Sequence, residues 1–75
     1  MQDIREADNG YEFSFPGGSD TLVGVAEFIS RERLCCPFLE FTFKVWPDYE
    51  VITLLLTGPE GTREFLREEF GEVFQ

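Results

Sequence analysis

Cys35-Cys36-Pro37-Phe38-Leu39-Glu40-Phe41-Thr42-Phe43-Lys44-Val45-Trp46, residues 35–46, is where this chain changes period. Before it, apolar residues recur at helical spacing. Within it, Phe41, Phe43 and Val45 alternate with Thr42, Lys44 and Trp46, the two-residue period of a half-buried strand. Pro37 marks the switch: it cannot continue a helix, and it biases Cys36 toward extended backbone. The spacing therefore predicts a helix that ends at or just before the two cysteines and a strand within residues 38–46.

Upstream, Ser19 or Asp20 is a natural N-cap, and Leu22, Val25, Ile29 and Cys36 fall on one helical stripe with Ala26 and Phe28 beside it. Tyr11, Phe13 and Phe15 alternate with Glu12 and Ser14 as an earlier strand, stopped by Pro16-Gly17-Gly18. Residues 1–10 are polar, end in the turn signal Asn9-Gly10, and read as a flexible lead-in to a single domain over residues 11–75. Downstream, Pro47-Asp48-Tyr49 supplies a turn into the β-rich run Val51–Thr57, so the last two strands form an antiparallel hairpin. Thr57-Gly58-Pro59-Glu60 reads as the start of a second helix with Pro59 at its first position. Phe65, Leu66 and Phe70 give that helix an apolar face, and Gly71 is its expected C-terminal cap. Glu72-Val73-Phe74-Gln75 is too short for a convincing further strand. The order β-α-β-β-α predicts a compact α+β domain, a three-stranded, largely antiparallel sheet with two helices on one face. Its open face would carry Thr42, Lys44, Trp46, Thr53 and Leu55, and an exposed patch around Trp46 favours a homodimer.

Composition narrows function. In 75 residues there are 15 acidic and 6 basic side chains, no histidine, two cysteines and nine phenylalanines, for a formal charge of −9. So acidic a chain has no means of neutralising many phosphates, which argues against nucleic acid and against anionic membrane surfaces as partners. The first residues lack the apolar core of a signal peptide, and the longest apolar run is too short to span a bilayer, so a cytoplasmic protein is expected. The absence of histidine removes Ser-His and Cys-His catalysis and histidine-ligated zinc. Gly58-Pro59-Glu60-Gly61 lacks the lysine of a phosphate loop. The pairs Glu68-Glu69 and Asp48/Glu50 read as solvated charges that aid solubility.

What remains is the pair of adjacent thiols. In a continuous helix, neighbouring side chains diverge by about 100° and would not meet on one ion. With Cys36 turned out of the helix by Pro37, both sulfurs can face one point, and Glu32 lies three and four residues earlier on the same surface. That makes Cys35, Cys36 and Glu32 a candidate metal cluster of two sulfurs and one oxygen. Soft thiolates select Cu(I), Hg(II) and trivalent arsenic; structural zinc wants four protein ligands and would need a dimer. Two other readings stay open. Buried cysteine is an ordinary small core residue, which would leave a dimeric interaction module of no catalytic activity. Thiol redox chemistry ranks below both, because the spacing is not that of a Cys-X-X-Cys motif and a helix C-terminus raises thiol pKa.

The run Arg31-Glu32-Arg33-Leu34-Cys35-Cys36-Pro37-Phe38-Leu39-Glu40-Phe41 resembles a small bacterial domain family with a Glu-x-x-Cys-Cys-x-Phe core, whose functions are uncharacterised and which is associated with mercury- and arsenic-type resistance and regulation. The similarity extends from about Tyr11 through Thr57-Gly58-Pro59-Glu60-Gly61 and Glu64-Phe65-Leu66. It implies heavy-metal or metalloid handling by Cys35 and Cys36 with Glu32 alongside. The reading from residues and resemblance together is a protein that captures a soft ion for sequestration, transfer or sensing and is not an enzyme. Phe38 and Phe41 are expected to shield the site from water.

Overall fold

The computed structural model describes residues 3–71, the Tyr49 side chain excepted. It is an α+β domain with four strands: β1 (Asp3–Ala7), β2 (Gly10–Pro16), α1 (Ser19–Cys35), β3 (Glu40–Val45), β4 (Val51–Thr57) and α2 (Thr62–Glu69), with a 3-10 turn at Pro47–Tyr49. The sheet order is β1-β2-β4-β3, and every neighbouring pair is antiparallel.

Four strands, not three, is the main correction to the sequence reading. The extra one is β1, in the stretch expected to be a lead-in; it pairs with β2 from Asp3↔Ser14 to Ala7↔Gly10. Asp8 and Asn9 form the two-residue connection, with Asn9 at a left-handed φ of 55°, a conformation asparagine tolerates better than most residues. The strand escapes the pattern test because it is an edge. Only Ile4 and Glu6 point to the helix side, and Ile4 alone packs against the core. Its other residues are charged or small, which suits a strand whose outer edge faces water.

Both helices cover one face. Tyr11 and Phe13 from β2, Leu54 and Leu56 from β4, Val25 from α1 and Leu66 from α2 are buried in a single cluster that also contains Cys36 and Leu39. Phe41 and Phe43 from β3 pack against it as half-buried neighbours. β4 is central, which explains its nearly unbroken apolar run. Ile52, Leu54 and Leu56 lie on the helix side, and even Thr53, on the open side, is only 8 % exposed. Trp46 covers it, donating from Nε1 to Thr53 Oγ1 at 3.2 Å, while Lys44 Nζ sits 3.6 Å over the indole ring. The open face thus carries the residues expected of it, with Trp46 laid across the sheet.

The helix boundaries move slightly. α1 takes Gly18 as its N-cap with no side-chain bond, so neither Ser19 nor Asp20 serves; Ala26 is exposed and does not join the buried stripe. α2 begins at Thr62, later than Pro59 would imply. Gly61 adopts φ 95°, a backbone state that glycine accepts without cost, and Thr62 turns its hydroxyl back to the Pro59 carbonyl at 2.6 Å. Pro59 therefore shapes the turn before the helix instead of opening it. At the other end, the Phe70 N–H bonds to the Leu66 carbonyl and caps α2 one residue before Gly71. Residues 72–75 lie outside the described part. Among the described residues, no helix is long and apolar enough to cross a membrane.

Candidate metal centre at the C-terminus of α1

Pro37 sets the local geometry. α1 stops at Cys35, and Cys36, with φ −125° and ψ 71°, is no longer helical, although its N–H still bonds to the Glu32 carbonyl at 2.7 Å. A tight turn follows, closed by the Leu39 N–H on the Cys36 carbonyl at 3.1 Å, and the chain enters β3. This departure from helix undoes the divergence of adjacent side chains. One ligand atom each from Glu32, Cys35 and Cys36 lies within 4.8 Å of the other two. Cys36 Sγ stands 4.0 Å from Glu32 Oε2, a weak S–H to carboxylate contact. Both sulfurs are free thiols.

The two thiols sit in different surroundings. Cys36 is 4 % exposed and belongs to the core cluster, whereas Cys35 is open to solvent and Glu32 is half-buried between them in exposure. The expectation that Cys36 packs is therefore met, yet the same sulfur is also within reach of a ligand set. Packing and ion binding coexist here because Cys36 lies at the rim of the core.

Electrostatics at this point favour a cation and oppose a bare thiolate. Burial pushes the Cys36 thiol from its ordinary 9.0 up to about 11, aided by its hydrogen bond and charge interaction with Cys35 and by the negative charges of Glu32 and Glu69. The carbonyl end of α1 adds negative potential. Glu69 is the contributor the sequence reading missed: it looked like a solvated surface charge, and only the packing of α2 beside the end of α1 brings its field to Cys36. Two aromatic contacts hold that seam, Phe28 with Phe70 at 5.8 Å and Phe38 edge-on to Phe65 at 5.0 Å. Phe41 turns into the core, and Phe38 is 45 % exposed, so the site lies at the surface with an apolar edge.

These surroundings order the reactivity of the two thiols. Titrated with an alkylating reagent at neutral pH and followed by mass spectrometry, Cys35 is expected to react first and Cys36 to lag until the pH nears about 11. The folded chain holds the Cys36 proton more tightly than the unfolded chain does. Its contribution to stability is therefore whole below pH 9.0 and is lost as pH rises toward about 11. Denaturant midpoints that stayed flat across that window, with both thiols alkylated at equal rates, would contradict this placement.

Comparison with protein-family models, with curated proteins and with solved structures gives no significant match for this chain.

Proposed function

We propose that this chain is a small soft-metal or metalloid-binding protein in which Cys35 and Cys36 are the principal ligands and Glu32 is a third ligand or the hydrogen-bonding partner that orients them. The observation that carries the reading is the convergence of two thiols and a carboxylate within 4.8 Å at a helix end. Adjacent cysteines in an uninterrupted helix would not do this. The donor set supports a soft acceptor: two sulfurs against one oxygen favour Cu(I), Hg(II) or trivalent arsenic over hard cations, which need many oxygens. Burial first, and then the negative charges of Glu32 and Glu69, keep Cys36 protonated; a bound cation would offset both by stabilising the thiolate, so capture releases thiol protons and tightens as pH rises. The resemblance of Glu32-x-x-Cys35-Cys36-x-Phe38 to a metal-resistance pattern points the same way. The role that fits is sequestration, transfer or sensing.

A non-catalytic interaction module with cysteines that only pack is the competing reading. The exposure of Cys35 weighs against it, since a purely structural pair would be buried at both sulfurs.

Native mass spectrometry of the reduced protein titrated with arsenite, Cu(I), Zn(II) and Hg(II) tests the proposal. One arsenic held per chain, with loss of thiol reactivity at both cysteines, is the expected result. Hg(II) adducts alone would not suffice, because mercury captures most accessible thiols. A folded protein that binds none of arsenite, Cu(I) and Zn(II) would refute the reading.

A further inference from the structure

β3 (Glu40–Val45) closes the sheet on one side and pairs only with β4 among the described residues. Its hydrogen-bonding phase follows from the hairpin. The Trp46 N–H bonds to the Val51 carbonyl at 3.0 Å, and in an antiparallel ladder such pairs recur at every second residue. Glu40, Thr42 and Lys44 therefore direct their backbone groups to β4, opposite Thr57, Leu55 and Thr53. Phe41, Phe43 and Val45 direct theirs outward, to the free edge.

The two edges of the sheet are unlike. β1 carries Asp3, Arg5 and Glu6, charges of the kind that keep an edge single. β3 has no proline, and its register with β4 is unbroken by a bulge. Residues 34–46 hold only Glu40 and Lys44 as charges, so this stretch is neutral in a chain of −9. Apolar surface gathers there as well: Val45 is 57 % exposed and Trp46 42 % exposed, and Phe41 and Phe43 are only half-buried. An unblocked edge with apolar flanks is a template for another strand.

We propose that a second copy of this chain adds its β3 to this edge, antiparallel about a two-fold axis at Thr42, so that the two sheets run on as one. The contact is the backbone edge, not the open sheet face around Trp46 that the sequence favours for a dimer. Charge selects both the partner and the register. About Thr42 the strand reads Glu-Phe-Thr-Phe-Lys, which is its own complement. Glu40 meets the partner's Lys44 on the open face, and Phe41 meets the partner's Phe43 on the helix side; symmetry repeats each pairing. The phase agrees, because Phe41 and Phe43 are residues whose N–H and C=O groups face the edge and can exchange bonds across it. Moving the axis to Phe41 or Phe43 keeps that phase but sets Glu40 and Lys44 against uncharged residues: Thr42 and Phe38 in the first case, Trp46 and Thr42 in the second. Opposite charges directly across a strand pair stabilise it, and like charges oppose it. No ion and neither thiol takes part, so the inference stands apart from the metal reading.

The test is sedimentation and amide hydrogen exchange of the reduced full chain, with a chelator present, at rising protein concentration. The expected result is a dimer whose formation slows exchange at the Phe41 and Phe43 amides and leaves Thr42 and Lys44, already bonded to β4, little changed. Glu40 and Lys44 are exposed, so their variants should fold. Glu40→Lys and Lys44→Glu should each weaken the dimer roughly 10- to 100-fold, since each turns attractive pairs into repulsive ones at both ends of the strand. The two substitutions move net charge in opposite directions, so overall repulsion cannot account for both losses. The swap Glu40→Lys, Lys44→Glu should restore the dimer. Mixed together, with one isotope-labelled, the two single variants should pair with each other in preference to themselves. A chain that stays single to millimolar concentration would overturn the proposal. So would single variants that dimerise like the parent, or a dimer with unchanged exchange at Phe41 and Phe43, which would place the contact away from this edge.

Discussion

The double variant Cys35→Ser, Cys36→Ser is expected to fold and to lose ion capture by several orders of magnitude. Serine oxygens are hard, weakly acidic donors, so the variant retains Glu32 as its one strong ligand and no soft one. The fold should survive for reasons visible at each position. Cys35 is exposed and contributes no burial, while Cys36 exchanges a buried sulfur for a smaller hydroxyl, the Glu32 carboxylate at 4.0 Å from the sulfur being too far to accept from it without a shift. Burying that hydroxyl costs about 1–3 kcal/mol. The single variant Cys35→Ser avoids even this cost and should still abolish tight binding, so a folding defect cannot be mistaken for the loss of a ligand. Glu32→Gln should have the intermediate effect, roughly 10- to 100-fold, expected of a group that supports two thiolates. Circular dichroism establishes folding and native mass spectrometry reads the ion. Arsenite binding that persisted in the double variant would place the ligands elsewhere.

The largest effect on stability is expected at Gly10. A side chain there has no room: a Cβ would collide with the Leu56 carbonyl and stand 2.9 Å from the Thr57 Cα. Both belong to β4, which pairs with β2 at the centre of the sheet, so the collision is with backbone that cannot rotate away. Gly10→Ala must push β2 from β4 where Tyr11, Leu56 and the neighbouring ladder bonds meet. Overpacking and lost ladder bonds together should cost at least about 3 kcal/mol. In a domain of this size that is a large share of total stability, and it lowers Tm by about 12–24 °C. Gly24→Ala on α1 is the control: nothing lies within 4 Å of its missing Cβ, so it should gain about 0.5–1 kcal/mol from helix propensity. Equal melting temperatures for the two variants would show that β2 and β4 do not approach as closely as described.

The two glycines differ in a way that bears on how much of this molecule is readable from its residues. Neither φ is left-handed, and the sequence offers no sign that one is obligatory. What separates them is which strand lies next to Gly10, a fact of tertiary pairing. The same distinction runs through the candidate site. That α1 ends between the cysteines follows from Pro37 acting on its neighbour, and that Glu32 shares their surface follows from helical repeat. Both are local and legible. The charge from Glu69, the burial of Cys36 and its raised pKa depend on how α2 packs against the end of α1, across more than thirty residues of chain.

By itself the sequence placed two helices and three of the four strands, and most of the residues that face inward, because backbone restriction by proline and the periods of helix and strand act over a few neighbours. It also limits the soft donors available to the candidate site to Cys35 and Cys36, Met1 apart. Tertiary structure alone decided that Asp3–Ala7 becomes a strand, for an edge that buries one apolar residue carries almost no pattern, and its ladder bonds come from β2. It also decided that Cys35 remains open while Cys36 joins the core. Those outcomes are set by contacts between distant segments, where burial and hydrogen bonding outweigh the weak local preferences of the residues involved.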